Sequence, residues 1–193
     1  MADPEALADA VQRRPGLRVP GAWDPFEIAV RAVVGQQISL RAATSVMGKI
    51  AQRFGVFADG RRYFPAPQSL TEAQEGDLPM PRARAAAVRA LSRQVLDGTV
   101  NFGASDPGVL VEQLMRIKGI GPWTAQMFLI FNLGRPDVMP ASDLGVQKGV
   151  RAVYGLDALP SPDQVLGRTR HLAPFRSAAS WYFWRAAETV LPT

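Results

Sequence analysis

Two sets of residues in this sequence have the types and spacing to do chemistry. The first is the run Leu114-Met115-Arg116-Ile117-Lys118-Gly119-Ile120-Gly121-Pro122-Trp123-Thr124-Ala125. Glycines at 119 and 121 allow a tight turn between two helices, in backbone conformations that other residues avoid. With no Cβ at either position, another molecule's backbone can come close. The amides of the turn, with the start of the helix opened by Pro122, then make a positive-ended pocket for a phosphate. Lys118 adds a full charge beside it. The same glycines would also serve an αα-hairpin that merely turns. The second set centres on a carboxylate, Asp143, just ahead of the apolar helix face Val146, Val150 and Val153. Taken alone, Asp143 is a helix N-cap, a role that Ser142 fills equally well.

Composition narrows the chemistry available. The chain has no cysteine, which excludes disulfides, thiolate zinc sites, iron–sulfur clusters and a cysteine nucleophile among these residues. Its one histidine, His171, excludes a multi-histidine metal site and reads as a surface residue at a helix end. The net charge is +5, and 19 of the 22 basic residues are arginine, a balance that favours an anionic partner without proving one. An apolar fraction of 47% over 193 residues suits a folded chain with a sizeable core. No apolar run approaches the roughly 18 residues of a membrane span, and no signal-peptide pattern opens the chain, so a cytoplasmic protein is expected.

The elements that must position these residues read as helices throughout. Asp3-Pro4, Asp24-Pro25, Ser39, Asp106-Pro107 and Ser161-Pro162 are helix starts, each an N-cap residue and four of them followed by an N1 proline. The expected helices run from Asp3-Pro4 to about Arg13, then over 26–34, 40–54, 82–96, 107–117, 123–133, 143–154, 162–172 and 177–190. Gly55 fits a C-terminal helix stop. Residues 56–81, broken by Gly60, Pro65, Pro67, Gly76, Pro79 and Pro81, read as loop with one short helix after Ser69. No strict apolar/polar alternation and no Asn-Gly hairpin signal occur, so the fold class is all-α. Arg82, Arg84, Arg89 and Arg93 read as a solvated helix face.

The 114–125 segment resembles the helix-hairpin-helix motif of DNA repair glycosylases, the HhH-GPD superfamily. Gly134, Arg135, Pro136 and Pro140 follow it, and Asp143 comes twenty residues after Trp123, where that superfamily carries a catalytic aspartate. Two further stretches resemble its alkylation-repair branch, the DNA-3-methyladenine glycosylase II type. They are Phe26–Ser39, with Gly35-Gln36-Gln37-Ile38-Ser39, and Leu172-Ala173-Pro174-Phe175-Arg176-Ser177 leading to Trp181 and Trp184. The likeness runs from about Pro15 to about Leu191, without the N-terminal β-rich domain of some relatives. It implies a two-lobed helical core: one lobe of about 56–133 that includes hairpin 107–133, the other of 1–55 with 134–193.

The resemblance implies hydrolysis of the N-glycosidic bond of alkylated purines such as 3-methyladenine and 7-methylguanine in duplex DNA, with Asp143 as the catalytic carboxylate. A ring-alkylated purine is already cationic and leaves without prior protonation. The cost is the oxocarbenium-like sugar, which one ionised acid can stabilise. At the hairpin position where strand-nicking members carry a lysine nucleophile, this chain has Trp123, which implies base removal without strand cleavage. The resemblance puts Trp123 and Trp184 at the base pocket, with Met127 where some relatives carry an aromatic residue. Of Trp181, Tyr182, Phe183 and Trp184, helical geometry makes at least two core. A base inside a duplex must be extruded and its gap filled. Gln37 is the implied plug, and Gln36 contacts DNA or braces the loop, while simple helix-end solvation explains both as well. Arg176 contacts phosphate or braces the pocket. No cofactor is required. The main-chain carbonyls of Met115, Ile117 and Ile120 match a monovalent-cation site of the superfamily's hairpin, and the chain is expected to act as a monomer on double-stranded DNA. Other damaged bases, such as uracil, mismatched thymine or oxidised purine, and a non-catalytic DNA-binding module remain alternatives.

Overall fold

The computed structural model describes residues 6–74 and 76–190. Its described residues form ten α-helices, one short 3-10 helix and a single two-stranded hairpin, so the all-α expectation holds. The chain folds as two units. One comprises Ala22–Phe128, the other the residues up to Gly21 together with those from Leu129 onward. Among the described residues, no helix is long and apolar enough to cross a membrane.

In the unit Ala22–Phe128, helix α2 (Pro25–Val34) starts at an Asp24 cap whose side chain accepts from the Glu27 amide at 2.8 Å. Helix α3 (Leu40–Phe54) starts likewise at Ser39. The apolar face of α2 is fully buried at Val30, Val33 and Val34, and α2 packs on α3 and on α5 (Arg82–Leu96). This packing places 22–55 in the same unit as the hairpin, whereas the sequence suggested that 1–55 joins the C-terminal lobe. Helix α2, with Val30, Val33 and Val34 buried, packs on α5 as well as on α3, and α5 lies in the middle of the chain.

Residues 56–81 also differ from the expected loop. Strands β1 (Phe57–Ala58) and β2 (Arg61–Arg62) pair antiparallel, Phe57 with Arg62 and Ala58 with Arg61. Asp59 and Gly60 between them are both left-handed, at φ 51 and 73°, as a two-residue hairpin turn demands. Asp-Gly carries this turn in place of the absent Asn-Gly. Helix α4 starts at Pro67 and ends at Thr71, so Ser69 lies inside it rather than before it. Gly55 is not a left-handed helix stop: its φ is −79°. A Cβ there would collide with the carbonyl oxygens of Ala51 and Tyr63, so close approach is what requires glycine. Helix α6 (Pro107–Met115) and the part of α7 (Pro122–Phe131) up to Phe128 complete the unit. Both helices end two residues earlier than expected.

The second unit holds α1 (Ala8–Arg13), α8 (Leu144–Val153), α9 (Pro162–Thr169), a 3-10 turn at Arg170–Leu172, and α10 (Arg176–Val190). The expected cap at Asp3-Pro4 lies outside the described residues. Ala10, Met139, Val146, Val150, Val165, Ala179 and Phe183 belong to one buried cluster, and the Tyr182 hydroxyl donates to the Arg14 carbonyl at 3.1 Å. The α8–α10 pair is the spine of this core. Gly149 makes that pairing possible, since a Cβ there would overlap the main chain of Phe183. The division between units falls inside α7, so Trp123 belongs to the first unit and Phe131 to the second.

Candidate active site and nucleic-acid interface

Asp143 caps α8 in extended conformation, φ −71° and ψ 124°, and its Oδ1 accepts from the Val146 amide at 2.8 Å. Its own amide donates to the Pro140 carbonyl at 2.9 Å, and Gln147 Nε2 donates to Ala141 O at 3.2 Å, so the approach to the cap is fixed from both sides. Trp184, one helix away on α10, donates its indole N–H to the same Oδ1 at 2.7 Å. The N-cap and the carboxylate of interest are thus one residue, held by a backbone donor and an aromatic donor. Bonds from N–H groups to a carboxylate are the strong, charge-assisted kind.

This geometry depends on Gly145, a residue without any assigned role in the sequence. A Cβ there would stand 2.7 Å from Trp184 Cδ1, 3.1 Å from its Nε1 and 3.0 Å from Asp143 Oδ1. Gly145 and Gly149 lie four apart on α8, the spacing at which small residues line one helix face. Trp184 stacks on Phe131 with centroids 5.8 Å apart and planes at 21°, and Trp181 stands edge-on to both rings. Tyr182 and Phe183 are the buried pair of the aromatic run. Trp181 and Trp184 are half-buried. Phe131 is a further member that the sequence did not single out.

Arg176 makes a bidentate ion pair with Asp137, Nε to Oδ1 at 2.5 Å and Nη2 to Oδ2 at 2.7 Å. This ties the first residue of α10 to the loop that leads to Asp143. It favours bracing over phosphate contact, because the guanidinium fork is already engaged. The Arg176 guanidinium hydrogen-bonded to Asp137 holds that carboxyl below its ordinary range. A group whose folded pKa is depressed contributes stability above its unfolded pKa and loses it as pH falls through the folded value. Arg176→Met should therefore lower the melting temperature at pH 7, with the gap to wild type narrowing as pH drops through and below the usual carboxylate range. A gap independent of pH in thermal melts would contradict this.

In the other unit, the hairpin joins α6 to α7 through a turn in which Gly119 is left-handed, φ 95°. Gly121 is not: it has ordinary φ, and a Cβ there would meet nothing within 4 Å. Only Gly119 needs glycine for its conformation, while Gly121 keeps an open surface at the start of α7. Lys118 and Gly119 are exposed. The Ile117 carbonyl accepts from the Ile120 amide at 2.9 Å, and Ile117 and Ile120 are buried. Gln36 sends its side-chain amide to the Gly119 carbonyl at 2.8 Å and to Thr124 Oγ1 at 2.9 Å. Of its expected roles, bracing is therefore the one the geometry favours, and Thr124, 4% exposed, is the anchor the sequence did not reveal.

Gln37, by contrast, is exposed and left-handed at φ 57°. Non-glycine residues in that region are uncommon and cluster at functional sites. The ring of Trp123 lies near Gly35, where a Cβ would be 3.8 Å from Cη2. Met127, expected at a pocket wall, is 7% exposed and belongs to the buried face of α7. The α5 arginines are only partly a solvated face. Arg84 donates to the Gln36 carbonyl at 2.7 Å and Arg89 to the Ala73 carbonyl at 3.4 Å. His171 is exposed on the 3-10 turn.

Residues 30–174 match the model of the HhH-GPD superfamily base excision DNA repair proteins. DNA-3-methyladenine glycosylase 1 of Schizosaccharomyces pombe is 33% identical over 86% of this chain and 73% of its own length. A probable bifunctional transcriptional activator/DNA repair enzyme AlkA of Mycobacterium tuberculosis is 34% identical over 97% of this chain, which spans only 40% of that longer protein. The structure of S. pombe 3-methyladenine DNA glycosylase in complex with abasic DNA superposes with a TM-score of 0.84 at 29% identity, covering 98% of this chain and 94% of the other. The chain belongs to the HhH-GPD superfamily of base excision DNA repair proteins.

Proposed function

We propose that this protein is a monofunctional DNA glycosylase that removes alkylated purines of the 3-methyladenine and 7-methylguanine type from duplex DNA. The observation that carries the reading is the carboxylate of Asp143, held at a helix N-cap by the Val146 amide and the Trp184 indole. In the reaction the bond from C1′ to the purine nitrogen breaks, and its electron pair leaves with the cationic base, which becomes neutral. Asp143 stabilises the positive charge left on the sugar, and water then adds to C1′ and gives up a proton. The products are a free base and an abasic site. Preorganisation is what the protein supplies: two fixed donors keep the carboxylate from turning as charge develops.

The hairpin grips a phosphate through the amides at Gly119 and Gly121 and the start of α7, with Lys118 adding charge, a contact that positions DNA without reading its sequence. Gln37 fills the gap left by the extruded base. Trp184, bonded to Asp143, offers an electron-rich face to a cationic base, worth about 0.5–2 kcal/mol. Met115, Ile117 and Ile120 would hold a monovalent cation through neutral main-chain oxygens, a donor set that suits such an ion. The Ile117 carbonyl keeps a second lone pair beside its bond to Ile120, and the ion would rigidify the turn.

The test is release of free base from duplexes carrying 7-methylguanine, 3-methyladenine, uracil or 8-oxoguanine, with borohydride present in parallel. The expected result is release of the two alkylated purines and no covalent protein–DNA adduct. Release of uracil or 8-oxoguanine in preference would overturn the substrate assignment, and an adduct in good yield the monofunctional one. DNA binding with no release at all would overturn the assignment as an enzyme.

A further inference from the structure

The Gln36–Gln37 turn and the hairpin are distant in sequence, yet one helix supports both. Arg84 of α5 donates Nη2 to the main-chain carbonyl of Gln36 at 2.7 Å. That carbonyl belongs to the peptide plane leading into Gln37, whose φ of 57° is the left-handed, exposed outlier of this unit's glutamines. On the same helix one turn further, the Ala87 Cβ would stand 3.1 Å from a Cβ built on Gly119, so α5 also backs the hairpin turn. Gln36 then ties the two together through Gly119 O and Thr124 Oγ1.

We propose that Arg84 is a positioning residue for base extrusion. A left-handed glutamine relaxes unless its surroundings over-determine it. The charge-assisted bond from Arg84 fixes the orientation of the peptide plane that precedes Gln37 and so keeps that side chain projecting. The bonds from Gln36 lock the same turn to the phosphate-gripping hairpin. Phosphate grip and plug are thereby set in one register before DNA arrives. This rests on the reading of Gln37 as the plug. Its consequence is selective: a preset plug matters when the target base must be pulled from a pair, and much less when the base has no partner to leave.

The experiment measures single-turnover base release by the full chain from two duplexes, with 7-methylguanine opposite cytosine or opposite an abasic site. Arg84→Met should slow release from the paired lesion about tenfold, the scale of one hydrogen bond to a charged group, and leave the unpaired lesion within about twofold. Equal slowing on both duplexes, or no slowing on the paired one, would overturn the proposal. Circular-dichroism melts accompany each variant. If Arg84→Met does not fold, the same paired-to-unpaired ratio is read on Arg84→Gln, which stays polar but is too short to reach the Gln36 carbonyl. Failure of wild type on both duplexes would instead refute the glycosylase reading itself, a result distinct from equal slowing in a variant.

Discussion

Asp143→Asn should release alkylated purines about 10²–10³-fold more slowly than wild type under single-turnover conditions, while folding and binding DNA normally. The substitution is close to a deletion of charge alone. Asparagine caps helices as well as aspartate does. Its Oδ1 can still accept from the Val146 amide at the 2.8 Å position and from the Trp184 indole at 2.7 Å, so the cap and the α8–α10 contact survive. What disappears is the negative charge that, in the proposed reaction, stabilises the developing oxocarbenium ion. The melting temperature should shift by no more than a few degrees, on the scale of a lost charge–dipole contact of about 0.3–1 kcal/mol at a helix start. Release within threefold of wild type, with the fold intact, would sink the mechanism. A large fall in melting temperature would instead show that Asp143 acts mainly as a cap.

The largest stability effect is expected at Gly149. A Cβ there overlaps the carbonyl carbon, oxygen and Cα of Phe183, and these are main-chain atoms that cannot rotate aside. Relief requires α8 and α10 to separate, which would open the cluster built on Val146, Val150 and Phe183. Overpacking of this kind costs about 3 kcal/mol, a large part of a typical stability of about 5–15 kcal/mol. For a chain of this length, Gly149→Ala should lower the melting temperature by about 6–12 °C. The matched control is Gly167→Ala, inside α9, where a Cβ meets nothing within 4 Å. It should be neutral or stabilise by up to about 1 kcal/mol through better helix propensity and a less flexible unfolded chain. Equal effects at the two positions in a thermal melt would contradict the close α8–α10 packing.

These two residues mark the division between what a sequence can show and what it cannot. Helix starts were legible because they are local chemistry. Asp24, Ser39 and Ser161 each accept from an amide three residues ahead, and Asp106 from one two residues ahead, so cap and partner share one short window. Asp143 belongs to this class too: its spacing from the hairpin, with the resemblance that spacing carries, marked it before its partners were known. The contacts that turn marked residues into a site span much longer distances. Trp184 meets Asp143 across 41 residues, Arg84 meets Gln36 across 48, and Gln36 meets Gly119 across 83. Nothing in the local pattern of Arg84 distinguishes it from Arg82 or Arg93, and Gly145 looks like any glycine in a helix until Trp184 packs against it. Helix propensity and capping act within a turn or two and so can be read along the chain. Which apolar faces pair is settled only when all of them compete for one core, and that competition placed 22–55 in the hairpin's unit, buried Met127, and gave Gln36 and Arg176 their partners at Gly119 and Asp137.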